Sequence, residues 1–157
     1  MRAIAALLPL ALVVAGSWLP VSASAQSTAT LSPSSPSVVI ALPPRAEGDL
    51  LQVEVTAVRN PKRAPVALRV TLQDADRRAP PEDVMRLALF PADQPGAAVA
   101  RPDDALDRLR RSLGAAPTGL IAHIAFDLSG DAVPAAPPVE LQLEARWTAA
   151  PRPFTPR

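Results

Sequence analysis

Residues 139–147 read VELQLEARW, and the alternation in this stretch decides the fold. Val139, Leu141, Leu143, Ala145 and Trp147 fall on one side of an extended chain, with Glu140, Gln142, Glu144 and Arg146 on the other. Successive side chains of a strand point to opposite faces, so a period of two marks a strand with one buried face. The preceding stretch GLIAHIAFDL (119–128) behaves alike, with Leu120, Ala122, Ile124, Phe126 and Leu128 on one face. It carries the only histidine of the chain, His123, on the opposite face.

Further upstream, LLQVEVTAV (50–58) sets Leu51, Val53, Val55 and Ala57 inward, and VALRVTLQ (66–73) sets Val66, Leu68, Val70 and Leu72 inward. The turn-forming NPKRAP (60–65) between them suggests that they pair as a hairpin. SVVIAL (37–42), stopped by Pro43-Pro44, reads as an edge strand, VMRLALF (84–90) as a further strand with Met85 inward, and AAVA (97–100) as a short one. RPDDALDRLRRSLG (101–114) departs from the pattern. Leu106, Leu109 and Leu113 stand at helical spacing, Asp103 and Asp104 suit the positive end of a helix, and Arg110 and Arg111 suit the negative end. Asp104–Arg108 and Asp107–Arg111 are the expected i,i+4 pairs. Together these elements predict an all-β fold, an antiparallel immunoglobulin-like β-sandwich of about six or seven strands with one short helix in a connection.

The ends of the chain have a different character. Residues 1–25 begin with Arg2, continue through an apolar core from Ala3 to Leu19, and finish on Ala23-Ser24-Ala25. That order is expected of a cleaved signal peptide, with export by the general secretory route to the periplasm or beyond and no stable membrane anchor. Residues 26–36 (QSTATLSPSSP) read as a disordered leader, 37–147 as the single domain, and 148–157 as a Pro-rich flexible tail. Removing residues 1–25 leaves 15 basic and 15 acidic residues, so the remaining chain lacks the basic surplus that nucleic acid requires. Cysteine is absent, which excludes both thiolate chemistry and a disulfide scaffold.

His123 is the residue on which catalysis would turn. If 119–128 and 139–147 paired directly, joining Leu128 to Val139 would set His123 opposite Glu144, an ordinary surface contact. A hydrolase using His123 would also need a nucleophile and an oxyanion hole, and neither has a signature here. One histidine, Met85 and no cysteine make a poor metal set, and no cofactor is expected. DADRRAPPED (74–83) offers Asp74 and Asp76 to a cation, but Arg77, Arg78 and the lack of glycine favour internal Arg–Asp pairing. Phe90, out of register with Leu87 and Leu89, and Phe154 in the tail join His123 and Glu144 as candidate surface contacts.

The succession LLQVEVTAV, APVALRVTLQDAD, RLALFPAD, GLIAHIAFDLSG and VELQLEARW resembles the small β-sandwich appended to the copper-binding domain of tyrosinase and polyphenol oxidase proteins. The resemblance covers about residues 50–147 and implies a β-sandwich with an accessory role. The copper-binding domain and its histidines are missing, so oxidase activity is not implied. The expected function is therefore a non-catalytic protein-interaction or structural module whose partner is another envelope or secreted protein. The alternative is a small-molecule or cofactor-binding module accessory to a separately encoded oxidase, with its pocket between the sheets or under the 102–114 helix. A flat exposed edge such as SVVIAL would favour the first, and a deep apolar cleft the second.

Overall fold

The computed structural model describes residues 28–46, 48–129 and 137–150. The expected signal peptide and Phe154 lie outside these residues. Eight strands and one helix follow in the order β1 (Thr28–Leu31), β2 (Ser37–Leu42), β3 (Leu50–Arg59), β4 (Val66–Asp74), β5 (Glu82–Leu89), β6 (Gly96–Ala100), α1 (Asp103–Leu113), β7 (Leu120–Phe126) and β8 (Glu140–Thr148). They form two four-stranded antiparallel sheets, β1-β8-β3-β6 and β2-β7-β4-β5. The chain is thus an all-β sandwich with one short helix. The additional strand is β1, which lies within the stretch read as a disordered leader. Thr28 to Leu31 pair with Glu144 to Leu141, and Leu31 is fully buried. One inward leucine and a complete ladder order a segment whose Ser/Thr/Pro composition signals only disorder.

The pairing has a simple logic. β1 pairs with β8, β2 with β7, β3 with β6 and β4 with β5, so the chain is one long antiparallel ribbon doubled back at the β4–β5 turn. Rolling that ribbon up brings β3 against β8 and β4 against β7, which closes the two sheets. This is the eight-stranded jelly-roll order. It corrects two expectations. β3 and β4 do not form a hairpin, because they are consecutive pieces of one ribbon arm that bends from one sheet to the other at 60–65. β7 and β8 likewise lie in opposite sheets, so the register placing His123 opposite Glu144 does not exist.

The alternating sets fill the space between the sheets. Leu51, Val53, Val55, Leu68, Val70, Leu72, Ile124, Leu141 and Leu143 are all completely buried. A register shift between Val55 and Ala57 reverses the alternation there, so Val58 faces the core and Ala57 is exposed. A second shift, between Val70 and Thr71 opposite β5, leaves Met85 only partly buried while Leu87 and Leu89 are buried. Bulges of this kind bend a strand and re-aim its side chains.

Two corners hold the bends. Asn60 is 5% exposed. Its Nδ2 donates to the carbonyls of Ala64 (2.8 Å) and Ala92 (2.9 Å), and its Oδ1 accepts from the Ala64 amide (3.0 Å). Ala92 belongs to the β5–β6 crossover, so one side chain ties both bends of the ribbon together. Arg63 and Asp93 pair across the same corner at 2.8 Å. At the opposite end α1 closes the sandwich. It is preceded by Pro102, ended by left-handed Gly114 (φ 69°), and buries Ala105, Leu106 and Leu109. The expected i,i+4 pairs give way to others. Half-buried Arg108 reaches off the helix to Glu82 of β5 at 2.5 Å, and Asp107 pairs with Arg110 at 3.1 Å.

Candidate functional site

His123 lies on the outer face of the β2-β7-β4-β5 sheet. Its cross-strand neighbours are Val39 of edge strand β2 and Thr71 of β4. The ring is half-buried because the 75–81 loop turns back beside it. Gln73, 9% exposed, donates from Nε2 to the Ala79 carbonyl (2.7 Å), which leaves its Oε1 for His123 Nε2 at 2.9 Å. That bond assigns the imidazole hydrogen to Nε2. Burial, and secondarily the charge of Arg77, holds the His123 pKa below its ordinary value. The neutral ring is therefore favoured at pH 7, hydrogen-bonded to an amide rather than to a carboxylate.

Glu144 is on the other side of the molecule. It faces Thr28 and Glu54 across its sheet, accepts a 3.3 Å bond from Thr28 Oγ1, and shares Arg146 with Glu54. Arg146 is 2.9 Å from Glu54 and 3.8 Å from Glu144, and it offsets the repulsion of two carboxylates placed directly opposite. Phe90 is 98% exposed, in agreement with its out-of-register position. His123, Glu144 and Phe90 do not converge. Asp74 and Asp76 turn to arginine: fully buried Asp74 accepts bonds from Arg78 Nε (2.9 Å) and Nη2 (3.0 Å), and Asp76 lies 3.6 Å from the same group. The Arg78 bonds hold the Asp74 carboxyl below the usual carboxylate range. Among the described residues no three His, Asp or Glu side chains cluster to hold a metal ion.

Among the described residues a groove lies beside α1. It encloses about 820 Å³ between the β2–β3 crossover, the helix and the segment leading into β7, lined by Pro43, Pro44, Leu106, Arg110, Pro117 and Thr118 among others. Its shape depends on Arg45, whose Nε and Nη2 donate to the Asp49 carbonyl at 3.0 and 2.7 Å. Nη2 also meets Asp103 at 2.8 Å, and the guanidinium lies 5.6 Å from the Trp147 ring. Trp147 in turn donates from Nε1 to the Pro43 carbonyl at 2.8 Å. The groove's charges thus pair with one another: Arg45 with Asp103, and Arg110 with Asp107.

The chain matches no known protein family, no characterised protein and no solved structure.

Strand edges are the other feature able to engage a ligand. β2 pairs on one side only, with β7, and its six residues SVVIAL carry no charge. Val39 is 45% exposed and shares the outer face with its neighbour His123. Pattern reasoning found this edge and Phe90. It missed the Gln73 clamp on His123 and the Arg45–Trp147 stack, because both join residues far apart in sequence.

Proposed function

We propose that the protein is a non-catalytic, exported interaction module that takes an extended segment of another envelope or secreted protein onto the β2 edge. The observation that carries this reading is the uncharged edge of Ser37–Leu42, with Val39 standing beside His123 on the adjoining face. An open edge offers a row of backbone donors and acceptors that water alone would otherwise satisfy. The single imidazole is engaged with Gln73 and disfavours protonation, which suits a contact surface better than proton transfer. The leader-like character of residues 1–25 supports export.

The second reading, a small-molecule or cofactor module accessory to an oxidase, draws on the groove beside α1. Its walls are mixed rather than apolar, and their charges are mutually paired. Sites for small ligands favour apolar walls with a few convergent polar groups.

The test is capture from the native envelope fraction followed by hydrogen exchange on the complex. Protection of the β2 amides by one stoichiometric protein, lost in Val39→Asp, supports the edge reading. A co-purifying small ligand that protects residues 42–46 and 116–120 instead overturns it in favour of the second.

A further inference from the structure

The other side of the sandwich carries a different kind of edge. β6 closes the β1-β8-β3-β6 sheet and pairs only with β3. Its sequence, GAAVA, contains no charge and no proline, and its pairing runs from Leu51↔Ala100 to Val55↔Gly96 without a register shift. Edge strands are ordinarily protected by charges, prolines, bulges or shortness. β5, the edge strand beside it in the other sheet, has three such charges in Glu82, Asp83 and Arg86, and a register shift opposite Val70/Thr71. β6 is protected by shortness alone. Three large apolar side chains are well exposed among the described residues, and one of them, Val99 at 51%, lies on this strand, with Phe90 at 98% just after β5 at the start of the turn leading to it.

We infer that β6 pairs antiparallel with β6 of a second copy of this chain, joining two four-stranded sheets into one of eight strands. Several observations select a second copy over an unrelated partner. A two-fold axis through Ala98 sets Gly96 opposite Ala100 and Ala97 opposite Val99, so no bulky or like-charged pair meets. The same register puts Arg101 opposite Pro95, so no like charges meet at the ends of the ladder. The 15 basic and 15 acidic residues left after residues 1–25 leave little repulsion between copies. The ladder is five residues long, so the dimer is weak.

The full chain without residues 1–25 has no cysteine, which makes the register directly testable. Antiparallel partners stand roughly 4.5–5.5 Å apart at Cα, within disulfide range. Copies carrying Ala97→Cys are mixed with copies carrying Val99→Cys under mild oxidation. The mixture is expected to give on the order of ten-fold more cross-linked dimer than either variant alone, since only unlike copies bring 97 and 99 together. Sedimentation should show reversible dimer accumulating above about 10–100 µM, at the weak end of specific association. Val99→Pro should stay monomeric over that range with an unchanged circular dichroism spectrum. Equal cross-linking in all three samples, cross-linking by Ala97→Cys alone, or a monomer throughout overturns the inference. The β2 variant Val39→Asp should dimerise like the parent, so failure here leaves the β2 reading untouched, and the converse holds.

Discussion

Asn60 offers the sharpest test of the rolled ribbon. The side chain is almost wholly buried and makes three hydrogen bonds, two of them to the Ala64 backbone in its own crossover and one to Ala92 in the other. Each such bond contributes about 0.5–1.5 kcal/mol net, and truncation also leaves buried backbone groups unpartnered. Asn60→Ala should therefore cost about 2–4 kcal/mol. Asn60→Asp keeps the acceptor facing the Ala64 amide but points a second carboxylate oxygen at two carbonyls. It should be at least as damaging at pH 7 and recover part of the loss on acidification, when a protonated carboxyl can donate again. Urea denaturation followed by circular dichroism at pH 7 and pH 4 measures both effects, with exposed Lys62→Ala in the adjoining turn as a control expected within about 0.5 kcal/mol of the parent. An Asn60→Ala loss no larger than that of the control would refute the claim that this side chain holds the two bends together.

Other predictions concern the remaining joints. Leu109→Ala, which empties a fully buried site under α1, should cost about 2–5 kcal/mol in the same denaturation assay. Arg45→Ala removes two bonds to the Asp49 carbonyl, the Asp103 pair and the contact with Trp147, and should cost about 1–3 kcal/mol, with Lys restoring little because it cannot make the forked contact. His123 binds its proton less readily folded than unfolded, so stability should fall as pH drops from about 6.5 through the lower folded pKa. His123→Gln should abolish that part of the pH dependence in denaturant midpoints between pH 7.5 and 5. Asp74 has the opposite charge and a lowered folded pKa, so its contribution is present above about pH 4 and lost as pH falls through the folded value; Asp74→Asn should flatten this acid limb.

The strands were legible and their partners were not, for a physical reason. Alternation records only which side of a strand meets the core, and the inward sets from Leu51 to Ala145 are mostly buried, apart from exposed Ala57 and partly buried Met85 beside bulges, and Leu120 and Leu128 at and beyond the ends of β7, which are partly buried. It carries no information about which strand lies alongside. Adjacent runs such as LLQVEVTAV and VALRVTLQ invite a hairpin because short-range pairing is the common case, yet here they lie in opposite sheets, and β1 pairs with β8 across 116 residues. The same blindness set His123 opposite Glu144 on paper and on opposite sides of the molecule in the fold. What selects the rolled ribbon over a series of hairpins sits at the corners: Asn60 stitches two crossovers, and Arg45 with Trp147 braces a third. Asn60 and Arg45 lie outside the alternating pattern; each bonds backbone four residues on, at Ala64 and Asp49, and also reaches partners that only the finished topology brings near, Ala92 for Asn60 and Asp103 and Trp147 for Arg45. In one sequence they look like turn residues. Asn60 in NPKRAP reads as a turn starter, and it is one, but its amide also reaches a carbonyl 32 residues away, which the turn alone does not reveal. A topology held in this way leaves the outermost strands less constrained by the corners, and among the uncharged edges β1, β2 and β6 it is β2 and β6, with Val39 and Val99 exposed, that have pairing capacity to offer another chain.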